Sequence, residues 1–484
     1  TAVATNTAPV ITSSLVFSEA RIDDNSEDTS QHSDTLVLST GNFAHVWSEE
    51  DASSVTRIFY SVTDKDGADV IAPMELATSA SMASKYYLGN ARIEQLSDGN
   101  LLVSWIVGNT ETVGRQVVAK VIDADGSSVE DTFEVTDESG RQNVADSIEF
   151  ADGNIFTVFR SNSNGWEVEG QLYNFTDGRI GSVETINNTA SGDQLDPSIK
   201  KLETTDGSEK FVVTYSSESG DSDAWGILAK IYSYSGGSFT VEKDEFTVNT
   251  TTASWQRNGG GEHLVATSDG GFVIAYRSFN NANNNDQKVL LQRFDEDGVK
   301  VGSEITVYDA GADFTTTRSI VELKNGDLAV LYSKSPADRS DHDLYVKIID
   351  PDDADAYNEF IIHSITTGDQ GGNHNGSWGK PAMALTPDGG LVITYMGETS
   401  TGGSGIMQTF LTKNELNSLQ NNYGSTISRF YTDEDTVSSV IAFSATDADG
   451  DTLTYTFSNP SKGSVTDNGD NTFTYMPDLN SNGS

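Results

Sequence analysis

One short phrase recurs seven times along this chain: a turn built on glycine, then an apolar run that ends in an aromatic. "TSDGGFVIAYRSF" (267–279) is one copy. "LSDGNLLVSW", "FADGNIFTVF", "LKNGDLAVLY" and "TPDGGLVITY" are others, and "LVLSTGNFAHVW" and "LETTDGSEKFVVTY" complete the set. The closing aromatics are Trp47, Trp105, Phe159, Tyr215, Tyr276, Tyr332 and Tyr395, so successive copies stand between 54 and 63 residues apart. A fixed period of this size points to a propeller or a solenoid.

Each unit reads as four strands. The first two form a hairpin through the glycine turn, as in "SIVELKNGDLAVLYS". A third follows a polar loop ("RQVVAKVID", "WGILAKIYS", "KVLLQRFD"), and a second turn leads to a fourth ("DEDGVKVGSEITV"). The second strand is apolar on both faces: Phe272, Ile274 and Tyr276 point one way, Val273 and Ala275 the other. Such a strand needs a packed neighbour on each side. Blades stacked in a ring supply those neighbours and hide most strand edges. The expected fold is therefore all-β, a seven-bladed propeller with four-stranded blades. The closing aromatics are read as inter-blade core rather than a ligand ladder.

The last unit lacks a fourth strand, and "APVITSSLVFSE" supplies a strand ahead of the first unit. Val10–Phe17 is expected to complete the last blade and clasp the ring, with "STISRFY" (425–431) as its rival. "TKNELNSLQ" reads as a short helix or connector. These signals divide the chain into a linker (1–7), the propeller (8–410), a connector (411–424) and a C-terminal β-sandwich (425–484).

Composition narrows the partners. Among 484 residues, 73 Asp and Glu face 29 Lys and Arg, a net charge of −44, which repels nucleic acid and acidic membranes. Cysteine is absent, so neither disulfides nor thiol chemistry contribute. No apolar run reaches the roughly 18 residues of a membrane span. Thr1 is not an initiator Met, so a fragment of a longer protein is expected.

"NGWEVEGQLYNFTDGRIGSVETINNTASGDQLDPSI" with "DGSEKFVVTY", and "DQKVLLQRFDEDGVKVGSEITV", resemble blade-like repeats of very large secreted bacterial RTX-type proteins over about 35–410. "FTVNTTTASWQRN" departs from that pattern in its loop. The stretch from "DEDTVSSVIAFSATDADGDTLTYTF" to Ser484 looks like a cadherin-like repeat of the same giant adhesins, and ends inside the expected domain. The resemblance implies a cell-surface-attached segment of a calcium-dependent adhesin, exported by a type I route and joined to neighbouring domains of the same protein.

Ca²⁺ takes six to eight oxygen ligands, and alternate Asp on a strand-end loop supply several on one side. Glu434, Asp435, Asp447, Asp449 and Asp451 form such a set, to which Asp478 and Asn480 could add. The Asp64/Asp66, Asp123/Asp125 and Asp295/Asp297 pairs of the propeller are read as hairpin turns, because other blades manage the same turn without the second carboxylate.

The loops joining strands two and three share a face with the loops entering the next blade. The entering loops diverge, and carry Tyr86, Tyr87, Arg92, Arg141, Trp255, Arg257, Arg318, His374 and Trp378. Aromatics stack on sugar faces and Arg binds hydroxyls or carboxylates. A cell-surface glycan or a peptide is the expected ligand, held by a monomeric chain. The six His form no HExxH pair, and no G-x-S-x-G elbow occurs. The chain is therefore expected to be a ligand-binding module rather than an enzyme. The alternatives are an extracellular carbohydrate-active enzyme, a glycosidase or polysaccharide lyase whose catalytic pair assembles from different blades, and a structural spacer.

Overall fold

A computed structural model describes residues 18–416 except 24–28, 82–86, 109–113, 137–141, 163–164, 189–190, 205, 222–223, 253–254, 259–261, 280–285, 337–341, 353–355, 364–368, 372–380 and 399–403. Beyond these it describes residues 441–442, 463–468 and 472–477. Seven antiparallel sheets follow one another along the chain. Their first strands are Thr29–Val37, Tyr87–Gln95, Asn143–Glu149, Gln194–Lys201, Trp255–Arg257 with Leu264–Ala266, Phe314–Glu322, and Ala382–Leu385. Each pairs with the strand after it in sequence, and blades 1 to 6 continue outward in simple order. The seven first strands touch one another in succession, and the seventh returns to the first. They therefore line a central channel, and the fold is the seven-bladed propeller the repeats require.

The inner hairpins show why the phrase repeats. Phe272, Ile274 and Tyr276 lie in a core shared with Val212, Ile227 and Ile231 of blade 4. Val273 and Ala275 lie in another, shared with Ile320, Val330 and Tyr332 of blade 6. A single strand thus fills two inter-blade spaces, and every closing aromatic is at most 1% exposed. The turn needs glycine at a defined place: Gly270 has φ +92° and donates its N–H to the Thr267 carbonyl at 2.9 Å.

The ring is closed by Ser18–Arg21, antiparallel to Ser404–Leu411 with Ser18 opposite Phe410 and Arg21 opposite Met407. The closing strand thus follows directly on Val10–Phe17, the segment expected to fill this slot, which lies outside the described residues, as does 425–431. A helical turn over 413–416 follows the last blade. Its start is a capping box: Glu415 N–H donates to Thr412 Oγ1 at 3.2 Å and Thr412 N–H to Glu415 Oε2 at 2.7 Å.

The acidic turns are closed by their own side chains. Asp64 Oδ1 accepts the N–H groups of Asp66 and Ala68, both at 2.9 Å, and Asp295 Oδ1 those of Asp297 and Val299. Among the described residues no group of three or more His, Asp or Glu is arranged to hold a metal ion.

Thr12–Asn417 forms one compact unit; Ser418–Ser484 with Thr1–Ile11 forms a second. In the second, Ile441–Ala442, Gly463–Asp467 and Thr472–Pro477 make a small antiparallel sheet.

Candidate functional site

The channel-lining strands share one irregularity. Register slips just before Asp34, Arg92 and Ser198, at Asn143/Ala145 ahead of Asp146, and between Thr317 and Ser319. A β-bulge re-aims the side chains beside it. Asp34, Arg92, Asp146 and Ser198 stand opposite the residue that precedes each closing aromatic, the same place in blades 1 to 4. In blade 5 the inner strand is given by Trp255–Arg257 and Leu264–Ala266, and between them Glu262 bridges to Ser319 of blade 6. In blade 7, Gln370 pairs with Gly397, and Ala382–Leu385 is the described inner strand.

These slips bring charge into the channel. Asp34 Oδ2 accepts the Ile93 N–H of blade 2 at 3.0 Å, and Arg92 Nη1 stands 3.7 Å from Asp34 Oδ1. Two blades on, Asp146 Oδ2 accepts the Ser198 hydroxyl at 2.7 Å and the Ile199 N–H at 3.0 Å. Glu94, Lys200 and Glu262 complete a group that is electrostatically linked across five blades. The last three keep partial solvent contact inside the channel, whereas Asp34, Arg92 and Asp146 are buried.

Four carboxyls share this space with two cations, so two carboxylates lack a counter-charge. Geometry decides which two. Burial opposes ionisation of Asp146, but Lys200, Arg92 and two hydrogen bonds outweigh it and hold its pKa below the usual value. Glu94 is pushed up to about 8, by burial first and then, against the pull of Lys200, by Asp146, Glu262 and Asp34. Glu262 is pushed up to about 7, by burial and by Asp34. Burial alone would lower Lys200, but the surrounding carboxylates raise it. The channel therefore holds two carboxyls with pKa values raised toward neutrality, beside an Asp146 carboxylate held ionised and two cations.

A second arrangement lies on the face where loops leave second strands and enter first strands. The Arg160 guanidinium lies 4.6 Å over the Trp166 ring in blade 3. Asp196 of blade 4 stands 4.0 Å from Arg160 Nη1 and 3.8 Å from Arg257 Nη2. Arg257 lies 4.4 Å over Trp225, whose ring is 6.3 Å from Trp255. Trp255 meets Phe279 edge-on at 5.9 Å, and Arg277 covers Phe279 at 4.0 Å and Phe314 of blade 6 at 5.0 Å. The result is a belt of alternating guanidinium and aromatic groups across blades 3 to 6.

Of the residues expected to bind ligand, the structure brings Trp255 and Arg257 together in this belt. Arg318 is not with them: it is 2% exposed on the inner strand Phe314–Glu322, and burial pulls its pKa down to about 10. "ADFTTTRS" reads as a loop, but its threonines form that strand. Arg92 is likewise a channel residue, from the strand Tyr87–Gln95. Tyr87 opens that strand, but its side chain is outside the described residues, as are Tyr86, Arg141, His374 and Trp378. Glu434, Asp435, Asp447, Asp449 and Asp451, with Asp478 and Asn480, lie outside them too. Sequence reasoning missed Trp166, Trp225 and Arg160, which stand near strand ends, and Asp196, which reads as part of the entering loop "SGDQLDPS" but carried no site signal there. It also missed Glu94, Asp146 and Lys200, charges on polar inner strands, and Glu262, which lies between the two short inner strands of blade 5.

Residues 422–484 match the family model of a cadherin-like domain. No curated protein matches. Among solved structures, a polysaccharide lyase of family PL25, an ulvan lyase, is similar at 10% identity, with 81% of this chain and 95% of that chain covered and a TM-score of 0.52. A Dyadobacter fermentans protein of unknown function (11% identity, 81% and 97% covered, TM-score 0.46) and the α-L-arabinofuranosidase Arb93A of Fusarium graminearum (12%, 82% and 98%, TM-score 0.44) are also similar. The expectation that the chain is not an enzyme is corrected here. Its fold is shared with a polysaccharide-cleaving enzyme, and two carboxyls of raised pKa that no motif announced, Glu94 and Glu262, stand in the channel.

Proposed function

We propose that the propeller is a carbohydrate-active enzyme that cleaves a polysaccharide at its central channel. The observation that carries this reading is that Glu94 and Glu262, carboxyls held at about 8 and about 7, share the channel with Asp146, held below its usual value, and with Arg92 and Lys200. Proton transfer at neutral pH is served best by groups with pKa values near the working pH. Titratable groups driven apart by their surroundings mark acid and base roles. A lyase needs a base for the sugar-ring proton and cations beside the adjacent carboxylate; a glycosidase needs an acid at the leaving oxygen and a second carboxylate. The channel offers the groups for either, and the relatedness in fold to ulvan lyase supports a polymeric substrate.

The test is incubation with a panel of polysaccharides that includes ulvan and arabinan. Reducing ends report any cleavage, and ultraviolet absorbance of unsaturated products separates elimination from hydrolysis. Glu94→Gln and Glu262→Gln are each expected to lower the rate by about 10²–10⁴. Binding without cleavage across the panel would overturn the reading.

The cadherin-like match supports placing this enzyme within a longer, secreted, surface-attached protein of the RTX-adhesin kind, joined to neighbouring domains of the same chain. The Glu434, Asp435, Asp447, Asp449 and Asp451 set is all-oxygen and hard, the chemistry that suits Ca²⁺.

A further inference from the structure

We infer that the guanidinium–aromatic belt is a subsite for an anionic sugar chain, one that bears uronate or sulfate groups. The inference deepens the proposed function by naming its substrate class, and it rests on that reading only for the fate of the chain after it binds.

The whole molecule carries −44 charges, so a patch where arginines outnumber carboxylates is a local exception. Arg160 and Arg257 flank Asp196 there, and Arg277 continues the belt over Phe279. Stacking fixes the plane of a guanidinium and leaves its N–H edges directed sideways, a geometry that matches carboxylate and sulfate oxygens. Asp196 lies beyond hydrogen-bond distance of Arg257, at 3.8 Å, so it attracts this guanidinium without forming a direct hydrogen bond to it. Its backbone has φ +53°, an uncommon conformation for a residue other than glycine, and it lies within the bulge between Leu195 and Ser198. Arg257 retains 31% side-chain exposure against 16% for Asp196, so the cation is the group offered to solvent. Trp166 and Trp255 add apolar faces on which pyranose rings can stack. The belt and the channel share a strand: Asp196 and Lys200 are four residues apart on Gln194–Lys201, a drop of about 13 Å. A chain held at the belt is thereby presented to the channel mouth.

The experiment is affinity electrophoresis of the full chain through gels containing polygalacturonate, dextran sulfate or neutral dextran, run with Glu262→Gln so that cleavage does not interfere. Retardation by a polyanion and none by neutral dextran is expected; the uronate and sulfate gels separate the two sources of charge. Arg257→Ala is expected to weaken retardation about tenfold, and Arg257→Lys less, because charge persists without the stacked fork. Asp196→Asn is expected to strengthen it several-fold. Asp297→Asn, in a turn on the opposite face, removes the same charge and should change nothing; if Arg257→Ala does not fold, Arg160→Ala takes its place. Equal retardation by neutral dextran, or weakening by Asp196→Asn, would overturn the inference. Loss of cleavage with polyanion binding intact would sink the catalytic reading and leave this one standing.

Discussion

The closing aromatics take two chemical forms. Blades 1 to 3 end their second strand in Trp47, Trp105 and Phe159, blades 4 to 7 in tyrosine, and each tyrosine hydroxyl donates to a glutamate: Tyr215 to Glu245, Tyr276 to Glu304, Tyr332 to Glu359 and Tyr395 to Glu19. The glutamates also reach the inter-blade connections: Thr250 N–H donates to Glu304 at 3.0 Å and Asn188 N–H to Glu245 at 2.7 Å. One residue thus fills the core with its ring and ties the covalent link between blades with its hydroxyl. Burial and the adjacent carboxylate push the tyrosine pKa values far up, so the donor persists throughout the accessible pH range. Tyr276→Phe keeps the ring and removes the donor. It is expected to destabilise by about 1–2 kcal/mol, below the full value of a bond to a charge because Glu304 retains Thr250 and Thr251. Urea unfolding with an unchanged m-value would check it, and no loss would assign the whole contribution to the ring.

Among elements, the closing strand is the one place where local sequence and long-range structure had to meet. The inner hairpins are legible because each repeats a strong double-faced apolar signal. The closing strand "SEAR" is short, polar and paired on one side only, so periodicity pointed to the neighbouring, more apolar Val10–Phe17. The channel group was illegible for a different reason: its members come from five blades, and only ring closure brings them together. Trp255 and Arg257 could be noticed because they interrupt a recurring loop, whereas Trp225 begins "WGILAKIYS" and reads as one more apolar residue. Closure itself rests on a few groups. Ile22 N–H donates to the Ile406 carbonyl at 2.9 Å, and Asp23 Oδ2 accepts the Ile406 N–H at 2.9 Å while its carboxylate pairs with Arg21. Asp23→Ala leaves that buried N–H without its carboxylate and should cost about 2–4 kcal/mol. Amide exchange should quicken first at Met407–Leu411, the partner of the closing strand; uniform quickening across all seven blades would show that the clasp is not the first element to open.

At the scale of the whole molecule two electrostatic problems coexist, and salt separates them. The surface carries a large negative excess, which is screened over about 8–10 Å at ordinary ionic strength. The channel group is enclosed, where screening is much weaker. Glu94 and Glu262 have folded pKa values of about 8 and about 7, both above the ordinary glutamate value of 4.5. As pH rises past 4.5 the unfolded chain releases these protons and the folded chain keeps them. Proton binding favours the folded state, and that advantage shrinks as the pH rises, so stability falls across the window from 4.5 to about 8 and levels off above it. Surface repulsion produces a decline of the same sign, but added salt removes that part. In about 1 M NaCl, where the Debye length is about 3 Å, the channel contribution persists while the surface contribution does not. Glu94→Gln, neutral at every pH, should flatten that remainder and stabilise the protein at pH 8 by about 1–3 kcal/mol, less than the full shift because Glu94 keeps some contact with water. Denaturant unfolding of both proteins at pH 5 and pH 8 in high salt checks this. Parallel declines would mean that Glu94 ionises freely in the folded channel, and would remove the proton-holding pair on which the catalytic reading rests.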